Sequence, residues 1–367
     1  MKNTVSFFVL ALLLLSTFFS CHSAFDEAVT YTAYLSNPKS NLFLSTFTKE
    51  MHSVKLQLPS PYFWGVVDEV VLKDDNYFVV DKRQNIVFRF AKDGTFLNTI
   101  GKRGQGPGEY ACMSNFFAND TSVFVCDIGA RTIYNFSFDG KFLNTVKMSH
   151  ALVFDDIAVL PNGHFLCHRL SDDENGRGVW TTDQFSGNRK EVLEYKQGSP
   201  YIHSDWNTLY TKSDGQIQVY NPADGSYYQM NSMGDTAVKT MKLICDRKML
   251  IDLECSDSEM LKTKEKCAYS PFTIDGENYI LSLWFMFPEH QVAWTICRKR
   301  DGKVDIGSLL KLDISGYTEI GRPVSSNIPN TLVIVYTDEF PKEQFPDAYK
   351  SIELNEGVAV LSFLELK

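Results

Sequence analysis

Asp81–Ile100 reads DKRQNIVFRFAKDGTFLNTI, and Asp127–Val146 reads DIGARTIYNFSFDGKFLNTV. At a shift of 46 residues the two stretches coincide without a gap at Asp81/Asp127, Phe90/Phe136, Asp93-Gly94/Asp139-Gly140 and the tetrads "FLNT" beginning at Phe96 and Phe142. A period of about 40–50 residues holding several short strands marks propeller blades, since one such sheet cannot cover both of its apolar faces alone. Asp-Gly supplies the positive φ of a tight hairpin, so it is expected to join the third and fourth strands of each unit. Ile86–Phe90 and Ile133–Phe136 alternate with period two yet stay apolar on both faces. Strands squeezed between neighbouring sheets have this character.

Fainter copies extend the pattern. Val153–His168, with Asn162-Gly163 as its first hairpin, aligns on Met113–Asp127 at a shift of 41, and Phe185-Ser186-Gly187 takes the place of the second Asp-Gly. A fourth unit, from about Asp205 to Leu243, carries Asp214-Gly215 and Asp224-Gly225. A fifth carries Asp275-Gly276 and Asp301-Gly302 around the aromatic strand Tyr279–Phe287. The last supplies Thr331–Thr337 and Val358–Leu366 but lacks an outer strand, for which Val54–Leu58 is the candidate. Closure of that kind removes free sheet edges. The reading is therefore an all-β, six-bladed β-propeller whose N-terminal strand closes the last blade, with seven blades as the alternative count.

Composition agrees. With 367 residues, 44% hydrophobic and 22% charged, the chain buries a substantial core and is not of disordered type. Its aromatic content of 13%, with Gly 22 and Pro 13, suits pleated strands and many turns. A formal charge of −9 argues against a phosphate-backbone ligand, so nucleic acid is set aside as a partner.

The first twenty residues fix the compartment. Met1-Lys2-Asn3 is a short basic start, and the apolar run Val5–Phe19 is broken only by Ser6, Ser16 and Thr17. A run of 15 residues is too short to span a ~30 Å hydrocarbon layer and reads as a signal-peptide core. Phe18-Phe19-Ser20-Cys21 resembles a bacterial lipobox, with Phe19 where a small residue is usual, which makes Cys21 the expected lipidation site; ordinary signal cleavage just after Cys21 is the alternative. Acylation anchors stably because each buried methylene adds about 0.8 kcal/mol. The organisation expected is a signal peptide over 1–20, a lipid-anchored tether over 21–50 and a propeller domain over 51–367, in the cell envelope at the outer membrane, facing periplasm or surface.

The pattern of Asp81, Ile86, Phe90, Asp93-Gly94, Phe96 and Ile100, followed by Gly101–Tyr110 ("GKRGQGPGEY"), resembles the six-bladed β-propeller lipoproteins of Bacteroidota, relatives of NHL-repeat propellers. The similarity is specific over roughly Val66–Met148 and returns at "EGVAVLSFLELK" at the C-terminus. It implies export, a lipid anchor and a propeller, and says little about ligand.

Candidate chemistry is sparse. The glycine-rich string holds no Gly-Lys-Ser/Thr, Pro107 interrupts it, and no helix follows, so it reads as a tight connection between blades rather than a phosphate cradle. Cys21 aside, seven cysteines remain. Cys126 and Cys167 fall where Val80 falls in the repeat and read as small buried hydrophobes, whereas Cys245, Cys255 and Cys267 are able to supply one disulfide. Propellers bind ligands at the mouth of the central channel, where the aligned positions are Asp68-Glu69, Ser114-Asn115, Asp155-Asp156 and Asn207-Thr208. Asp68, Glu69, Asp155, Asp156 and Asn207 are thus the candidates for a Ca²⁺ or polar-ligand site, set against the simpler reading that they keep the channel wet. His164 and His168, four apart on one strand, lie about 13 Å from each other, too far to share a metal. No HExxH or GxSxG occurs. Trp180, Trp206, Trp284 and Trp294, with Tyr201, Tyr210, Tyr227 and Tyr228, form either a surface for sugars or proteins or ordinary inter-blade packing. The function expected is a binding or scaffold module for a protein, peptide or glycan, not an enzyme; the alternative is a calcium- or zinc-dependent hydrolase or lyase at the channel.

Overall fold

A computed structural model describes residues 28–36, 39–149, 154–170, 177–183, 188–195, 207–211, 216–249, 264–314, 320–351 and 355–367. Among these there is no α-helix; all but five short strands fall into six antiparallel units of four. The first comprises Glu69–Lys73, Asn76–Asp81, Ile86–Ala91 and Phe96–Ile100, and the second Asn115–Ala118, Val123–Asp127, Thr132–Phe136 and Phe142–Lys147. The third comprises Asp156–Val159, Phe165–Arg169, Gly178–Thr182 and Arg189–Glu194, and the fourth Leu209–Thr211, Ile217–Asn221, Ser226–Met230 and Ala237–Cys245. The fifth runs through Cys267–Asp275, Tyr279–Phe287, Gln291–Arg298 and Lys303–Lys311. In the sixth, Arg322–Ser326, Thr331–Tyr336 and Val358–Leu366 are completed by the N-terminal strand Thr48–Gln57, with Val54 opposite Leu361.

The packing of these units makes the propeller. Each buried apolar cluster is shared by two consecutive units: Phe78, Val87 and Phe116 between first and second, for example, and Val70, Tyr77 and Leu361 between sixth and first. The last cluster in the series joins Leu281 and Trp294 of the fifth unit to Ile334 and Val360 of the sixth, so the ring closes. The hairpins repeat as well. Gly94 (φ +90°) and Gly140 (φ +83°) turn the third strand into the fourth, as expected from Asp-Gly. A Cβ on either would strike a carbonyl on the outer strand of the preceding unit, Lys55 O and Thr99 O respectively, so only glycine fits. Asp224-Gly225 instead joins the second and third strands of its unit.

The same repeat explains the aspartates. Asp81 accepts from the backbone N–H of Gly65, Val66 and Gln84 at 2.8, 3.1 and 2.9 Å. Asp127 accepts from Ala111, Cys112 and Ala130 at 2.9, 3.0 and 2.8 Å, each donor 46 residues further along. A buried carboxylate fed by three N–H groups satisfies donors that the incoming loop cannot pair otherwise.

Two expectations change here. Within residues 21–50, assigned to a tether, two segments lie in the sheets: Val29–Ala33 runs parallel to the outer strand of the fourth unit and Lys39–Phe43 parallel to that of the fifth. Fifth strands of this kind cover edges that would otherwise stay open. Cys245 is free, as are buried Cys126 and Cys167, so no disulfide joins Cys245 to Cys267; Cys255 and Cys21 lie outside the described residues.

Candidate functional site

The paired positions at the start of the inner strands divide the work. Asp68 turns back along its own unit and accepts from Lys82 N at 2.7 Å; Ser114 does the same for Ile128 N at 3.2 Å, and Asp155 for Leu170 N at 2.7 Å. These are staples of the loop after the second strand. Side chains alternate along a strand, so the next residue points the other way. Glu69 and Asp156 accordingly line a central cavity of about 210 Å³, together with Asn207. Of the five channel candidates, the structure brings these three together and gives Asp68 and Asp155 to the scaffold.

Asn207 crosses the axis. Its side-chain amide donates to Glu69 Oε1 in the first unit, and its backbone N–H donates to Ser325 Oγ in the sixth at 3.2 Å. Ser325 in turn sits opposite Glu69, where the inner strands of those units pair in parallel. Burial pushes the Glu69 carboxyl up to about 7, against the opposing pull of Lys82 and the Asn207 hydrogen bond. Asp156 rises to about 6 from the same cause, although its Oδ2 accepts from the N–H groups of Thr208 and Leu209 at 2.8 and 2.9 Å. Two carboxyls that change charge near neutrality can each donate or accept toward a ligand, depending on pH.

Behind Asp156 lies a chain that sequence reasoning missed. His168 is fully buried, and its Nδ1 and Nε2 lie 2.8 Å from Thr208 Oγ1 and Tyr195 Oη. Thr208 Oγ1 lies 3.5 Å from Asp156 Oδ2, so its proton has the carboxyl as acceptor; the hydroxyl then accepts from Nδ1–H, and Nε2 accepts from Tyr195. Desolvation lowers the imidazole to about 3, so it is held neutral. His164, placed on the same strand from its spacing, lies instead in the exposed turn before Phe165.

A second cavity of about 270 Å³ adjoins the first; Tyr210, Asn327, Ile328 and Pro329 line both. Asn327 is itself fixed, accepting from Leu72 N at 2.8 Å and donating to Leu72 O at 3.0 Å. Beyond Tyr210 the second lobe is walled by Gln218, Tyr227, Phe272 and Thr273. The tryptophans take the packing role: Trp180, Trp284 and Trp294 are buried, and Trp206 and Tyr201 lie outside the described residues. Among the described residues no group of three His, Cys, Asp or Glu side chains is placed to hold a metal ion. The glycine-rich string is a self-contained connection. Lys102-Arg103 pairs with Glu109-Tyr110, and the Glu109 carboxylate takes Gly106 N–H at 2.8 Å and Lys102 Nζ at 2.9 Å, leaving it occupied from within.

Residues 29–359 match the family described as a domain of unknown function, DUF4934. A search of curated proteins finds no match. A crystal structure of a protein from Bacteroides fragilis described as exported aligns with TM-score 0.69 at 14% identity, covering 93% of this chain and 100% of that one. A member of the DUF4221 family from Bacteroides vulgatus aligns with TM-score 0.54 at 9% identity, covering 88% and 97%. At these identities the likeness is one of fold. Among the described residues no helix is long and apolar enough to cross a membrane.

Proposed function

We propose that this chain, which belongs to the DUF4934 family, is an exported six-bladed propeller, lipid-anchored through Cys21 at the outer membrane, that binds a peptide, protein or glycan of the cell envelope at the end of its central channel. The observation that carries the reading is the two-lobed cleft around Tyr210, where polar groups converge from several units onto a rigid ring. Ligand sites are concave, largely preformed and furnished with a few placed polar groups, and this cleft has each property. Similarity to a Bacteroides protein described as exported supports the compartment. The signal-peptide core and the lipobox-like Phe18–Cys21 support the anchor.

Two experiments test it. Titration of the purified protein against peptide and glycan panels is expected to give a ligand whose affinity collapses in Tyr210→Ala; ligands bound equally by both proteins would refute the site. Cys21→Ser is expected to move the protein from the membrane to the soluble fraction; unchanged fractionation removes the anchor. Calcium, the alternative cofactor, is checked by metal analysis of wild type and Asp156→Ala.

A further inference from the structure

Resting on the anchor proposed at Cys21 and sharpening it, we infer that the outer edge of the fourth and fifth units is a docking surface for anionic lipid headgroups. The path of the N-terminal chain leads there. Followed backward from Gln57, it lies on the outer edge of the sixth unit (Thr48–Gln57), then of the fifth (Lys39–Phe43), then of the fourth (Val29–Ala33). From Val29 back to Cys21 is eight residue steps, which span at most about 28 Å. A folded chain of this size is about 50 Å across. An acylated Cys21 therefore holds the propeller by the side that carries Val29. Contact through the opposite units, the first and second, would put Val29 beyond the reach of the anchor.

The same edge has the composition of an interfacial surface. The five most exposed large hydrophobic side chains among the described residues are Val29, Tyr34, Phe43, Val238 and Leu309, at 47–67%. All lie on the outer two strands of these two units or, for Tyr34, directly after one. The other exposed ones do not exceed 46% and are scattered around the ring. Single exposed apolar side chains are ordinary, but the most open ones gathered on one edge mark an interaction surface. Charge points the same way. The outer strands Ala237–Cys245 and Lys303–Lys311 carry Lys239, Lys242, Lys303 and Lys311 against Asp305 alone, in a chain whose formal charge is −9. None of the four lysines is buried. Ammonium groups at headgroup level, with apolar side chains sinking between the lipids, are how a protein surface rests on an anionic bilayer. The short tether puts lipid, rather than another protein, within constant reach of this edge.

The test adds the acylated full chain to vesicles of phosphatidylethanolamine and phosphatidylglycerol and reads lysine acetylation by a membrane-impermeant reagent, residue by residue, by mass spectrometry. Cys21→Ser, which cannot be acylated there, gives the reference rates in solution. Lys239, Lys242, Lys303 and Lys311 are expected to label about fivefold more slowly on the vesicles, the equivalent of one lysine's attraction to an anionic surface. Exposed Lys92 and Lys141, in hairpins of the first and second units, are expected to label equally in both settings. Vesicles of phosphatidylcholine alone are expected to protect the four lysines less. Val238→Ser combined with Leu309→Ser, at two exposed positions, is expected to reduce the protection while the anchor keeps the protein on the vesicle. Equal labelling of all six lysines in both settings overturns the inference, as does equal protection on phosphatidylcholine or full protection in the double variant. If the wild-type protein carries no acyl group by mass, the anchor reading fails. If it is acylated and vesicle-bound yet the four lysines label as in solution, the anchor stands and this inference alone fails.

Discussion

Replacing Glu69 with glutamine is expected to remove a pH dependence that the wild-type channel carries. The carboxyl titrates at 4.5 when exposed and at about 7 in the fold, because burial penalises the charge more than Lys82 and Asn207 favour it. Between those values the unfolded chain is ionised while the folded protein holds its proton. The folded state therefore binds more protons, and stability falls as pH rises through the window. Below pH 4.5 both states are protonated and nothing is lost; above 7 the full cost is present. At about 1.4 kcal/mol per unit, the cost is about 3 kcal/mol. Glutamine does not titrate. Its amide still faces Asn207, with a weaker hydrogen bond worth about 1 kcal/mol less, so at pH 8 the variant is expected to be about 2 kcal/mol more stable and at pH 4.5 slightly less stable. Urea midpoints of both proteins across pH 4–8 read this directly. His168 works in the opposite sense, since its lowered value of about 3 costs stability as pH falls from 6.5. That slope is common to both proteins and cancels in their difference. Parallel pH profiles for wild type and Glu69→Gln would refute the reasoning, and with it the view that this carboxyl sits dry at the axis.

Three further outcomes follow from the scaffold. Asp127→Ala strands the N–H groups of Ala111, Cys112 and Ala130 and is expected to cost about 3–5 kcal/mol, seen as a lowered denaturation midpoint; a loss below 1 kcal/mol would mean that water replaces the carboxylate. Gly140→Ala places a Cβ against Thr99 O at a φ of +83° and is expected to cost about 2 kcal/mol or more, whereas Gly302→Ala, with φ +67° but open space around it, is expected to cost about 1 kcal/mol. Thiol titration of the native protein is expected to modify exposed Cys112 rapidly, while buried Cys126 and Cys167 react only on unfolding.

The ring was legible because its constraints are local and repeated. Asp-Gly turns, FLNT tetrads and two-faced apolar strands recur at one spacing, and each imposes the same geometry wherever it occurs. Closure of the sixth unit was legible for a different reason, since that unit visibly lacked a strand and Val54–Leu58 had the pattern to supply it. Val29–Ala33 and Lys39–Phe43 were not legible. Five residues of alternation, with Tyr31 and Ala33 inward, carry little signal, and each strand pairs in parallel with a partner far along the chain, with no turn to announce it. The strand starts that border the channel were legible but not their phase: Asp68 and Glu69 are neighbours with opposite duties, and composition cannot say which of two adjacent carboxylates faces the axis. The burial of His168 was not legible, because its partners, Tyr195 and Thr208, come from a later part of its own unit and from the next one.

The division between scaffold and channel bears on how a ligand is held. In the first three units the outward-turned member of the pair anchors the loop after the second strand, so Glu69 and Asp156 sit on backbone that neighbouring hydrogen bonds already fix. Asn207 then ties the fourth unit to the first and sixth across the axis. In the proposed binding role, a ligand entering beside Tyr210 would meet groups whose positions are set before it arrives, leaving little ordering entropy to oppose binding. The exception is the proton on Glu69. With a carboxyl titrating at about 7, a ligand group that donates to it favours the charged form and one that accepts from it favours the acid. A donor ligand must then bind more tightly above pH 7 than below, and an acceptor ligand the reverse, so the direction of the affinity profile identifies which edge of the ligand faces Glu69.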